Sequence, residues 1–226
     1  MEKATFVLVH GAWHGGWCWR RVTDRLVAHG HRVYTPTLTG LADRSHLLSP
    51  SVNLSTHVSD VANLLRWEEL MDVVLCGHSY GGMVITGVAD KVSERVASLI
   101  YLDAHVPESG QSVADLWTRG TPEGLSLPPV SAESFHVNVR DRAWVDRQCT
   151  PHPVACVTEK LALTGAYRGV QRKTYIRATA YPNASFARFY ERFKKDPGWI
   201  AHEVSCGHDV MIDMPDALTE LLEAAL

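Results

Sequence analysis

The sequence predicts an α/β protein: a mostly parallel sheet of about six strands, with helices on both faces. Three observations lead there. Short continuous apolar runs recur, at Thr5 to Val9, Val73 to Cys76 and Ala97 to Leu102, as strands buried on both faces require. Amphipathic segments of helical spacing separate them, and strand–helix alternation with right-handed crossovers builds a parallel sheet. The 226 residues, 46% hydrophobic and 21% charged, are enough for one large domain with a substantial core.

In chain order, Thr5 to Val9 is a strand ended by Gly11. A helix over Trp17 to His29 places Trp19, Val22, Leu26 and Val27 on one side, and Gly30 stops it. His31 to Thr35 is a strand closed by Pro36, and a turn-rich loop runs to Pro50. Asn53 or Ser55 caps a helix over 54–69, with Val58, Val61, Leu64 and Leu65 at helical spacing. The strand Val73 to Cys76 breaks into Gly77-His78-Ser79-Tyr80-Gly81, and a helix from Met83 to Asp90 follows. The strand Ala97 to Leu102 ends at Asp103. From Val106 to about Gly165 the pattern changes, punctuated by Pro107, Pro122, Pro128, Pro129, Pro151 and Pro153. An excursion of that length inside an α/β domain predicts a functional cap over 106–165, on a core made of 1–105 and 166–226. The rhythm returns with strands at Lys173–Thr179 and Trp199–Ser205 and helices at Ala184–Lys195 and Pro215–Leu226.

Several function classes are disfavoured. A formal net charge of -3 leaves no footprint for nucleic acid or an anionic membrane. No apolar run approaches the roughly 18 residues of a spanning helix, and the first apolar run is too short for a signal peptide, so a cytoplasmic location is expected. The cysteines, Cys18, Cys76, Cys149, Cys156 and Cys206, are odd in number and form no C-x-x-C pair. His10 and His14 lie four apart, but Gly11, Gly15 and Gly16 argue against a helical metal face. Neither a metal nor a cofactor is expected.

The chemistry centres on Ser79. Strand, G-x-S-x-G and helix is the pattern in which a serine sits on a strained turn with its hydroxyl exposed. Serine is a weak nucleophile without an adjacent base. Active groups of open α/β sheets gather at the strands' carboxyl ends, and His208, in Cys206-Gly207-His208-Asp209, follows the last strand. His208 would take the proton from Ser79 and return it to the leaving group, while a carboxylate holds the imidazole. Asp103, at a strand end of its own, ranks first for that acid, ahead of Asp209 and Asp213. The backbone N–H groups of Tyr80 and Ala12 are the candidate oxyanion donors.

His10-Gly11-Ala12-Trp13-His14-Gly15-Gly16-Trp17, Gly77-His78-Ser79-Tyr80-Gly81-Gly82-Met83 and Tyr101-Leu102-Asp103-Ala104-His105-Val106-Pro107 together resemble the α/β-hydrolase branch of plant methyl esterases, hydroxynitrile lyases and bacterial pyrethroid-hydrolase-type esterases. The resemblance implies an α/β-hydrolase fold, a small helical cap over an apolar pocket, a metal-free mechanism and frequent homodimers. Two departures stand out. The family commonly supplies its acid after the strand equivalent to Lys173–Thr179, where this chain has Tyr181; dehalogenases and certain lipases place it where Asp103 stands. The cyanohydrin-cleaving members carry lysine directly after the catalytic histidine, where this chain has Asp209, which argues against that activity.

Trp13, Trp117, Phe135 and Trp144 are candidates to line the apolar pocket, with His14 and His105 at its border. The expected function is a serine carboxylesterase-like hydrolase acting on an ester, lactone or thioester of a small to medium apolar molecule. Two alternatives stay open: a lyase or cyclase using Ser79 and His208 as an acid/base pair, and a slow-turnover ligand-binding protein of the same fold.

Overall fold

Six parallel strands form the central sheet of the computed structural model, which describes residues 3–117 and 120–226. They are β1 (Thr5–Val9), β2 (Arg32–Tyr34), β3 (Val73–His78), β4 (Val96–Leu102), β7 (Arg172–Ala178) and β8 (Ile200–Val204). Two short antiparallel strands, β5 (Ser126–Leu127) and β6 (His152–Pro153), lie apart from them. The sheet order is β2-β1-β3-β4-β7-β8. The chain therefore steps outward from β1 to β2, returns to β3, and proceeds in the other direction. The strand order reverses between β1 and β3, and in open α/β sheets ligands bind at that crevice, beyond the strands' carboxyl ends.

Around the sheet lie α1 (Arg20–Ala28), α2 (Leu54–Trp67), α3 (Gly81–Lys91), α7 (Ala184–Phe193) and α9 (Pro215–Glu223). The excursion between β4 and β7 contributes α4 (Val113–Leu116), α5 (Val139–Gln148) and α6 (Val154–Thr158), and α8 (Val210–Asp213) follows β8. The α/β fold expected from the sequence is present, with boundaries within a few residues of those read from pattern. The first helix is an exception, because Gly16 to Trp19 forms a tighter 3₁₀ turn before α1 begins. A side chain at Gly16 would meet the Thr35 carbonyl at 2.2 Å, so that turn runs against the end of β2. Asn53, not Ser55, caps α2: its side chain accepts from the Thr56 N–H, and Thr56 Oγ1 accepts in return from the Asn53 N–H. Ser55 instead donates from its backbone and hydroxyl to Glu159, at the end of α6.

The core is the sheet interior. Phe6 to Val9 and Leu99 to Leu102 are wholly buried, and β3 is buried along its full length. The excursion is tied down at two further points. Arg21 on α1 holds Asp141 on α5 through two hydrogen bonds of 2.8 and 2.7 Å. Asp90 on α3 accepts from the N–H groups of Thr164, Gly165 and Tyr167. Among the described residues, no helix is long and apolar enough to cross a membrane.

Candidate active site

Ser79 occupies the turn between β3 and α3 with φ 54, a left-handed conformation that a non-glycine residue adopts only under constraint. Its N–H donates to the Leu102 carbonyl (3.1 Å), and its own carbonyl accepts from the N–H groups of Gly82 and His105 (both 3.1 Å). The glycines around it are required by crowding. A Cβ at Gly77 would lie 2.5 Å from the Gly81 carbonyl oxygen, one at Gly81 2.7 Å from the Val9 oxygen, and one at Gly82 2.1 Å from the His105 oxygen. Strand and helix thus cross at backbone contact, and the serine is pushed out at the apex.

His208 follows β8 in a loop that passes just as closely under the excursion. A Cβ at Gly207 would sit 2.2 Å from the His136 oxygen, and the His208 N–H donates to the Phe135 carbonyl at 2.8 Å. Its Nδ1–H donates to Asp103 Oδ2 at 2.7 Å, which leaves Nε2 as the nitrogen with a free lone pair. The ring is stacked on Phe186 (centroids 5.4 Å apart, 12° between planes) and covered by Tyr181 at 4.5 Å. Tyr181, at the place where the resemblance locates an acid, therefore packs on the imidazole face.

Asp103 leaves β4 with φ 41 and no solvent exposure. Its second oxygen, Oδ1, accepts from the Ala178 N–H at 3.2 Å and from Arg177, a buried guanidinium on β7 that also donates to the Ala178 and Tyr181 carbonyls. Arg177 was not anticipated; its signal is a charge inside the apolar second half of a strand. The two other carboxylates weighed for the acid lie elsewhere: Asp209 binds His14, and Asp213 accepts from Asn138.

Ser79 and His208 border a single cavity of about 330 Å³. Trp13, His105, Trp117 and Phe135 line it, joined by Tyr181 and Phe186, which the sequence reading did not assign. No hydrogen bond joins Ser79 Oγ to His208 Nε2 among the described residues. The backbone N–H groups of Ala12 and Tyr80, which also border the cavity, find no protein acceptor among the described residues.

Two expected pocket residues lie outside it. Trp144 packs edge-on against Trp17 (5.1 Å) under the Arg21 guanidinium. His14, 1% exposed, turns inward instead. It donates from Nδ1 to the Ala12 carbonyl (2.8 Å) and from Nε2 to Asp209 Oδ2 (3.0 Å). Burial alone would lower its pKa, but the charge and hydrogen bond of Asp209 outweigh burial and raise it. Burial would likewise raise Asp209, yet His14 brings it down to about 2. A buried ion pair thus fastens the loop after β1 to the residue following His208. Burial holds His105 at about 3 and His78 well below the ordinary histidine value, so both are neutral. His78 donates from Nε2 to the His208 carbonyl at 3.0 Å.

The loop after β1 is also held from the other side. Trp13, at φ 65, offers its N–H to His152 Nδ1 (3.4 Å), and its carbonyl accepts from the Thr150 N–H (2.9 Å). Both partners belong to the excursion. Among the described residues, no group of three or more His, Cys, Asp or Glu side chains is placed to hold a metal ion.

A model of the Alpha/beta hydrolase family matches residues 6–221. The chain belongs to that family. Among its relatives, the carbendazim hydrolyzing esterase of a Nocardioides species is 44% identical over 98% of this chain and 99% of its own length. A putative chloroplastic methylesterase of Arabidopsis thaliana, methylesterase 15, is 24% identical over 98% of this chain but only 56% of its own. Among solved structures, an extracellular α/β-hydrolase from a Paenibacillus species superposes with a TM-score of 0.85, at 25% identity and 98% coverage of both chains. A pyrethroid hydrolase from Sphingobium faniae shares the fold, with a TM-score of 0.79, at 24% identity and coverage of 99% of this chain and 97% of its own. Membership in this hydrolase family and likeness to esterases support ester-hydrolysing activity in general.

Proposed function

We propose that this α/β hydrolase is a serine esterase that cleaves small to medium, largely apolar esters through an acyl-enzyme on Ser79. One observation carries the reading: the left-handed Ser79 turn and the Asp103–His208 pair open onto the same aromatic-walled cavity.

In this mechanism His208 Nε2 accepts the Ser79 proton as Oγ attacks the ester carbonyl carbon. The tetrahedral oxyanion is held by the Ala12 and Tyr80 N–H groups, whose lack of a protein acceptor supports that role. Collapse expels the alcohol, which takes the proton back from His208. Water, deprotonated by the same Nε2, then attacks the acyl-serine; the C–Oγ bond breaks, the acid leaves and His208 returns the proton to Ser79 Oγ. Asp103, bound to Nδ1–H, keeps the imidazole in the tautomer that presents Nε2 and stabilises the imidazolium. Trp13, Trp117 and Phe135 would receive the apolar part of the substrate. The Nocardioides relative's name makes carbendazim a substrate to test beside p-nitrophenyl esters.

Ser79→Ala is expected to abolish ester turnover and covalent labelling by a fluorophosphonate probe. Wild-type turnover by that variant removes Ser79 from the mechanism.

A further inference from the structure

We propose that Arg177 is a positioning residue for this reaction, fixing Asp103 from behind and bracing the cavity wall that packs on His208. The proposal rests on the esterase reading above.

Arg177 lies on β7, 5% exposed, with its guanidinium directed at three acceptors: Asp103 Oδ1, the Ala178 carbonyl and the Tyr181 carbonyl. A planar fork can serve several acceptors at fixed angles, which an ammonium cannot reproduce. The Asp103 bond, with the Ala178 N–H on the same oxygen, leaves Oδ2 as the oxygen facing His208 Nδ1. The Tyr181 bond pins the chain where it leaves β7 and turns toward α7. Residues 181–186 of that turn line the cavity, and Tyr181 and Phe186 lie on the His208 ring. One side chain therefore braces the acid, the wall and the aromatic cover of the base.

The charge of Arg177 has its own consequence. The titratable and charged groups around His208 are Asp103 from β4, Arg177 from β7, Tyr181 from the segment after β7, Asp209 from its own segment, His14 from the loop after β1, His78 from β3 and His105 from beyond β4. His78 and His105 are neutral through burial, and His14 and Asp209 compensate each other. Asp103 is the carboxylate that acts on the imidazolium, and Arg177 offsets part of its pull. Removing that positive charge leaves the Asp103 carboxylate unopposed beside the imidazole. At an effective dielectric constant of about 20, loss of a charge that binds the same carboxylate as the imidazole should raise the acidic limb of kcat/KM on the order of one pH unit.

The test measures kcat, KM and the pH dependence of kcat/KM for a p-nitrophenyl ester in wild type, Arg177→Gln and Arg177→Lys, with circular dichroism to confirm folding. Arg177→Gln should move the acidic limb upward by about one unit or more. Arg177→Lys keeps the charge, so its limb should stay within a few tenths of a unit of wild type while KM rises several-fold as the Tyr181 brace is lost. A folded Arg177→Gln enzyme with the wild-type limb overturns the proposal. Should that variant not fold, Arg177→Lys decides: unchanged KM and unchanged limb overturn the assignment, and raised KM with an unchanged limb supports it. Fluorophosphonate labelling separates the two readings. An unlabelled wild type refutes the Ser79 mechanism itself, whereas a labelled wild type with indifferent Arg177 variants refutes only the role of Arg177.

Discussion

Replacing Asp209 by asparagine keeps an oxygen within reach of His14 while deleting one buried charge. In the wild type both ring nitrogens of His14 donate, to the Ala12 carbonyl and to Asp209, so the ring is the cation of the pair and Asp209 the anion. Both are buried, at 1% and 0% exposure. The carboxyl, brought from 3.8 to about 2 by His14 against the opposing effect of burial, contributes about 2 kcal/mol. For a depressed acid this contribution is complete above pH 3.8 and is lost as pH falls through about 2. His14, raised above 6.5, behaves in the opposite sense: its share is complete below pH 6.5 and disappears as pH climbs through the folded-state value. Asp209→Asn should therefore cost about 2–3 kcal/mol between pH 4 and 6.5, with the difference from wild type shrinking as pH falls toward 2 and again as pH climbs above 6.5 through the raised His14 value. Urea unfolding followed by circular dichroism across that pH range reads it directly. A difference that is constant with pH, or none at all, refutes the ion-pair reasoning. Because the same imidazole holds the Ala12 carbonyl, kcat should fall as well.

Asp103→Asn should lower kcat by about 10⁴, as loss of a triad acid does, and should also destabilise the fold by leaving Arg177 buried without its counter-charge. Combining it with Arg177→Gln should restore most of the melting temperature and none of the turnover; recovery of turnover would assign the acid elsewhere. Gly82→Ala places a Cβ 2.1 Å from the His105 carbonyl. It should cost about 3 kcal/mol or more, a drop of at least roughly 6 °C in melting temperature for a domain of this size; a wild-type melting curve would show that the contact relaxes freely. Phe135→Ala enlarges the cavity, and a series of p-nitrophenyl esters should show preference shifting toward longer acyl chains. An unchanged chain-length profile removes Phe135 from the acyl side of the pocket.

The parts of the site carried by local pattern were legible before any coordinates. The glycines flanking Ser79 announce a strand and helix at backbone contact, whereas the close passage at Gly207 came only from the structure. A mostly parallel sheet of about six strands followed from the alternation of buried runs with amphipathic ones; the order of those strands did not. Long-range polar pairing was not legible. Arg177 finds its carboxylate 74 positions away and His14 finds Asp209 195 positions away, and no spacing rule connects such residues. Side-chain direction in loops was equally opaque. His14 and Trp144 lie in a glycine-rich loop and in the excursion, segments that suggest a pocket, yet one turns to a buried carboxylate and the other to Trp17. Proline and glycine punctuation marked the excursion, but its contacts with Trp13 are set by tertiary geometry alone.

Those contacts bear on redesign. Thr150 and His152 clamp the backbone of Trp13 beside Ala12, so the region over the pocket is not an interchangeable module. Transplanting it from a relative to alter substrate range would change the substrate walls and also release a bent peptide beside the candidate oxyanion donor. A chimera that retains the histidine at 152 and a residue with a free backbone N–H at 150 should keep its turnover rate while its selectivity changes. One lacking them should lose rate on every substrate alike.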